Sequence, residues 1–397
     1  MGHEEGMQEK GLPIWKLLAF TMAGFLTIMT ETMPAGLLPQ ISAGLGVSEA
    51  LAGQMVTLYA LGSVVAAIPV ITATRSWRRR PLFLMAIGGL MVFNTVTALS
   101  SHYEITLLAR FIAGMSAGVV WGLMAGYVRR LVPHHLQGRA LAAAGVGQPV
   151  ALCVGVPLGT WLGSLFDWRG VFWMMSAVAL ALFVWIRLAI PDFAGQAAAQ
   201  RLPLRRIFMI PGIRSVLMTL FVWILAHSTM YTYIAPFLAS TGMGGRVDAV
   251  LLLFGVTSLG GIWITGMWID RRLRTLTLLC LSVFAGAEVV LGLSGNMSFL
   301  VLLSIAAWGL TFGGGPTLLQ TAMSDTAGEN ADAAQSMFVT VFNSALAGGS
   351  FLGGVLLGHW GPVSFPWVLA ALALLGLFVV WSAKSHGFRP GRRLAAA

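Results

Sequence analysis

Long apolar runs alternate with short polar connections along the whole chain. Runs long enough to cross a hydrocarbon core lie at about 17–39, 51–73, 82–100, 105–128, 140–163, 171–190, 213–239, 249–269, 275–294, 298–322, 333–358 and 363–383. At about 1.5 Å per helical residue, roughly 20 residues cross a core of about 30 Å. The runs are continuously apolar rather than apolar at every second position, which predicts helices and excludes a transmembrane barrel. The pattern therefore predicts an all-α membrane protein of twelve transmembrane helices.

One connection is longer than the rest, Pro191 to Gly212, and it divides the runs into six plus six. This predicts a tail at 1–16, a six-helix bundle at 17–190, a linker at 191–212, a second six-helix bundle at 213–386 and a tail at 387–397. The halves show weak internal similarity. Pro13-Ile-Trp-Lys16 before the first run is similar to Pro211-Gly-Ile-Arg214 before the seventh, and Pro39 and Pro236 fall near the ends of those two runs. Such a repeat is the mark of transporters whose halves rock about a central site.

Composition agrees, with 57% hydrophobic residues, 10% charged residues and a mean hydropathy of +0.83. Of the 24 Lys and Arg, only Arg169 and Arg246 fall on one side, Arg110 falls inside a run, and the other 21 share the opposite side. Basic residues beside the spans set orientation, so both termini and the linker are expected in the cytoplasm of a cell with an inner membrane. The net charge of +10 is thus topological and gives no reason to expect nucleic-acid binding. Asp325, Glu329 and Asp332 form an acidic loop on the same side, where acids weigh little. Cys153 and Cys280 lie within runs and read as packing residues. The first run is too long for a signal-peptide core and reads as an uncleaved span.

Candidate chemistry begins at Glu31, a carboxylate deep inside the first run. An ionisable group at that depth is costly and marks a substrate, ion or proton path. Arg110 in the fourth run matches it in depth. Desolvation disfavours a charged carboxylate and a neighbouring guanidinium favours it, so a change in their spacing alters protonation. A structural ion pair fixing the two helices is the alternative. His227, at nearly the same depth in the seventh run, begins a segment with Tyr231 and Tyr233. Their donors, acceptors and aromatic faces suit a polyol or an aromatic cargo. Gln54, Gln148, Gln320 and Asn343 are further cavity candidates. Glu288 in the ninth run is a secondary candidate for a proton carrier. No metal spacing includes His134-His135, Gly313-Gly-Gly315 lacks the residues of a phosphate loop, and no cofactor is expected.

Several of these stretches resemble the major facilitator superfamily. Gly266-Met-Trp-Ile-Asp270-Arg271-Arg272 is similar to its Gly-x-x-x-Asp-Arg signature, and Leu107 to Gly118 resembles its fourth-helix motif. Gly155-Val-Pro157-Leu-Gly159-Thr-Trp-Leu-Gly163 resembles the antiporter motif of the fifth helix. With Thr30-Glu31, Tyr231-Thr-Tyr233-Ile-Ala-Pro236 and Gly309-Leu-Thr-Phe-Gly313, they resemble the drug:proton antiporter branch, close to sugar and arabinose efflux proteins. The resemblance implies gating roles for Arg75, Gly155, Pro157, Gly159, Gly266, Asp270 and Arg271. It also places the ninth helix at the bundle's outside. The first half departs from the pattern, with Ala73 where the family has the acid before Arg75, so the latch on that side is expected to be weak or carried by Asp270 alone.

The leading expectation is a proton-coupled exporter of a small molecule such as a sugar or drug, working as a monomer in lipid. A lone carboxylate suits a proton better than a hard cation, which needs several oxygens at one point. A symporter or facilitator for uptake is the alternative, since only the fifth-helix motif favours antiport. A membrane-embedded enzyme would need clustered His and Asp near one face, and the seven His are scattered. A sensor would need a soluble domain larger than the linker or tail.

Overall fold

The computed structural model describes residues 12–67, 69–74, 76–133, 136–195, 204–295 and 297–389. Arg75, His134, His135 and Gln196 lie outside the described residues. Among the described residues there are no strands, and eleven helices are long and apolar enough to cross a membrane. These are α1 (Ile14–Gly36), α2 (Glu49–Ala66), α3 (Arg79–Leu99), α4 (Tyr103–Arg130), α5 (Gln137–Phe166), α6 (Trp168–Ala189), α7 (Ile213–Thr232), a continuous element Val247–Leu293, and three more. The 47 residues of Val247–Leu293 would measure about 70 Å, more than twice a hydrocarbon core. Arg272 breaks it with φ −142° and ψ 37°, giving α8 (247–271) and α9 (273–293). The chain then continues through α10 (Ser298–Ala327), α11 (Ala331–Trp360) and α12 (Phe365–Ser382). Twelve crossings result, as the hydropathy pattern predicts.

The two halves repeat one packing scheme. α2 packs on α4 as α8 packs on α10, α3 on α6 as α9 on α12, and α1 on α5 as α7 on α11. Glycine makes the closest of these possible. A Cβ at Gly114 or Gly118 would run into the α2 backbone at Tyr59 or Ser63, and one at Gly309 or Gly313 into α8 at Phe254 or Ser258. Helices without a hydrophobic drive between them gain contact from such small-residue surfaces. The first helix of each half also breaks alike: Leu37 has φ −113° and ψ 12°, Tyr233 φ −111° and ψ 28°, each followed by a short helix containing proline. The halves meet through α2 with α11 and α5 with α8. The first contact includes Tyr233, whose hydroxyl donates to the Ala50 carbonyl at 3.1 Å and accepts from Gln54 at 3.3 Å. The second includes the Cys153 thiol, which donates to the Gly255 carbonyl at 2.8 Å.

The start of the linker is strapped across one face of the first half. Asp192 pairs with Arg78 and accepts from the Arg80 backbone N–H at 3.0 Å. Tyr127 at the end of α4 donates to the Pro191 carbonyl at 2.7 Å, and Arg130 to the Ala194 carbonyl at 2.8 Å. Burial opposes ionisation of Asp192, but the Arg80 N–H and the Arg78 guanidinium outweigh it and hold the carboxyl below its usual range. A carboxylate is therefore present at this face despite Ala73, supplied from the sequence after α6.

Candidate functional site

The site begins with a proline. Pro34 has no N–H, so the Thr30 carbonyl one turn back loses its helical donor. Arg110 of α4 supplies the replacement, donating Nη2 to that carbonyl. The guanidinium is fully buried, 4.7 Å from the centre of the Tyr59 ring and 5.6 Å from that of Phe172. Its Nε and Nη1 have no hydrogen-bond partner among the described residues. Around it, Asn94 of α3 donates to the Thr30 hydroxyl at 3.0 Å, and the Tyr59 hydroxyl donates to the Thr27 carbonyl at 2.9 Å. The first half thus holds one buried cation against the bend of α1.

Glu31 is the next residue along α1, buried, with Oε1 unpartnered. It is attracted to Arg110 electrostatically, while the guanidinium donates Nη2 to the Thr30 carbonyl. Its side chain borders a cavity between the halves. The opposing wall comes from α7, with His227, Ser228, Tyr231 and Thr232, while Gln148 of α5 and Phe312 of α10 line other sides. Two of the α7 groups are already satisfied within the second half: Ser228 donates to the Leu346 carbonyl at 2.8 Å, and Thr232 meets Ser350 at 2.8 Å. His227 Nδ1 and the Tyr231 hydroxyl are buried without a partner among the described residues. The imidazole stacks on Phe312 with centroids 3.5 Å apart, inside an aromatic cluster with Tyr231, Phe254 and Trp308.

Four of the expected groups therefore meet at one cavity: Glu31, Gln148, His227 and Tyr231. Arg110 stands behind α1 rather than on the cavity wall. Tyr233 and Gln54 lie together at the α2–α11 contact. Asn343 donates to the Val339 carbonyl of its own helix at 2.9 Å, and Gln320 is exposed. Glu288 of α9 is fully buried, with Oε2 unpartnered among the described residues, and does not line the cavity. Among the gating candidates, Gly266, Asp270 and Arg271 are exposed in the last turns of α8, just before the break at Arg272. Gly155 and Gly159 lie against α1, where a Cβ would meet Met29 and Met33. Pro157 follows a single π-turn at Ala151–Gly155, the local widening of α5 that accommodates a proline within a helix.

Sequence reasoning named Thr30 only as part of a motif and missed Tyr59 and Asn94 around Arg110, and Phe254, Trp308 and Phe312 around His227. Asn94 carried a signal, as an amide inside an otherwise apolar run. Phe312 lay within the Gly309–Gly313 stretch, masked by the attention its glycines draw.

A model of the Major Facilitator Superfamily matches residues 20–348. The "Transcription regulatory protein OpdE" of Pseudomonas aeruginosa is 29% identical over 370 residues, covering 91% of this chain and 92% of that protein. The "Purine ribonucleoside efflux pump NepI" of Escherichia coli is 28% identical over 360 residues, covering 90% of each. A "Probable sugar efflux transporter" of Helicobacter acinonychis is 24% identical, covering 93% of this chain and 95% of its own. Among solved structures, a D-xylose-proton symporter superposes with a TM-score of 0.79 at 15% identity, covering 97% of this chain and all of that one.

Proposed function

Because the chain belongs to the Major Facilitator Superfamily, we propose that it is a proton-coupled exporter that carries a small organic molecule, such as a nucleoside, sugar or drug, out of the cytoplasm by alternating access. The observation that carries this reading is Glu31 on the wall of the central cavity, one residue from the carbonyl that Pro34 frees and Arg110 occupies. A carboxyl at that point is reached from the cavity and is also next to the hinge of α1, so cargo and proton can act on the same element. Two relatives with efflux in their names support the outward direction.

In the cycle, the two halves rock about the cavity. Of the named contacts between them, Cys153 meets Gly255 beside Leu152 of the cavity wall, and Tyr233 with Gln54 lies at the end where α7 finishes. With the termini in the cytoplasm of a bacterial inner membrane, that end is the outer one, and the arrangement is closed outside. Glu31 takes a proton from outside and releases it inside once per cycle, Arg110 holds the α1 bend throughout, and Asp270 with Arg271 latches the cytoplasmic side in the opposite arrangement. The carrier works as a monomer.

The test is a panel of radiolabelled nucleosides, sugars and lipophilic drugs on inverted vesicles with an imposed pH gradient. Accumulation of one cargo that collapses with the gradient supports export. Accumulation only in right-side-out vesicles, driven by inward proton flow, would instead establish uptake by symport.

A further inference from the structure

The free polar atoms of the cavity are few, and they sit on a mostly apolar and aromatic wall. Glu31, His227 and Tyr231 are 7%, 6% and 4% exposed, and each holds a polar atom without a partner. A buried donor or acceptor left unmatched is costly, so these atoms point to a ligand that bonds them. Gln148 adds a primary amide, which offers a donor and an acceptor side by side. The serine and threonine hydroxyls of α7 are already taken by α11. Phe312 and Phe342 complete the lining with flat apolar surface.

We infer that the cargo is a neutral, flat heteroaromatic of purine-base type, bound by its hydrogen-bonding edge to His227, Tyr231 and Gln148 with its faces on aromatic surface. This deepens the export reading, since it takes the same cavity as the cargo site. A polyol fits less well. A pyranose carries a hydroxyl on nearly every carbon, and each one buried without a partner weakens binding roughly tenfold. The wall has too few free groups to match them. A heteroaromatic edge presents donors and acceptors together, which a primary amide meets in a bidentate pair, and its ring gains from stacking. A cation gains little, because the one carboxyl on the wall, Glu31, has the buried guanidinium of Arg110 for a neighbour. An anion finds no Lys or Arg among the described residues of the cavity wall.

The experiment is equilibrium dialysis of the purified full-length protein in detergent, with no gradient, against adenine, hypoxanthine, D-galactose and tetraphenylphosphonium. Saturable binding of at least one purine base is expected, weakened about tenfold by Tyr231→Phe and by Gln148→Ala. Tyr231→Phe removes one oxygen from a packed ring, and its folding is checked by thermal unfolding. Failure of both bases to bind, whether or not galactose or tetraphenylphosphonium does, overturns the inference, as does base binding that neither variant changes. Pumping of another cargo in vesicles would leave the export reading standing while this one falls. A base that binds but is never moved against its gradient would leave this inference and remove the other.

Discussion

Arg110 to methionine separates a structural clamp from a working part. The substitution removes a charged hydrogen bond to the Thr30 carbonyl, about 1.5–3 kcal/mol, and the contact with the Tyr59 ring, about 2 kcal/mol when desolvated. Against this stand the desolvation of a buried guanidinium, several kcal/mol, and two nitrogens without partners. These terms roughly cancel, and methionine keeps the stem's volume. Thermal unfolding in detergent should therefore move little, while gradient-driven transport is lost because the α1 bend has no donor. Pro34→Ala added to Arg110→Met restores a helical N–H to Thr30, so the pair should show coupling of about 1–2 kcal/mol in a double-mutant cycle. A loss of about 3–5 kcal/mol in Arg110→Met, with transport per folded molecule intact, would refute the reasoning and make Arg110 a clamp.

Three further expectations concern other parts of the fold. Cysteines at Ala194 and Gly295 should react with impermeant reagents from opposite faces, and labelling from one face would sink the twelve-crossing arrangement. Asp192 has a lowered folded-state value, so the stability it contributes is complete above its unfolded value near 3.9 and disappears as pH falls through the lower folded one. Hydrogen exchange across 190–194 should thus stay slow at pH 5–8 and rise in Asp192→Asn, whereas equal protection in that variant would show the strap to rest on Tyr127 and Arg130. Gly159→Val should force α5 away from Met33 and destabilise by about 1–3 kcal/mol by unfolding midpoint, and an unchanged midpoint would mean that this contact is loose.

The twelve crossings were legible because membrane burial writes a long apolar signal into each helix. The separation of α8 from α9 was legible as well, since hydropathy keeps their two runs apart and the one residue that leaves the helical conformation, Arg272, falls between them. The depth of Glu31, Arg110 and His227 followed from counting residues. Their facing did not: Arg110 turns to the backbone because Pro34 frees the Thr30 carbonyl, a bond that side-chain patterns leave hidden. Asn343 turns back onto its own helix, and Tyr233 reaches α2, since the break after Thr232 rotates it off the cavity face of α7. Asp192 was hidden because its partner Arg78 lies 114 residues earlier.

The central claim is that Glu31 couples proton to cargo, and gradient-driven efflux in proteoliposomes tests it most directly, with a cargo found in the vesicle panel. Glu31→Gln keeps the shape of a protonated carboxyl without titrating. It should bind cargo and exchange it downhill, yet lose accumulation against a gradient, while Glu288→Gln keeps it. Full uphill transport by Glu31→Gln would contradict the account, and loss confined to Glu288→Gln would move the coupling group to α9.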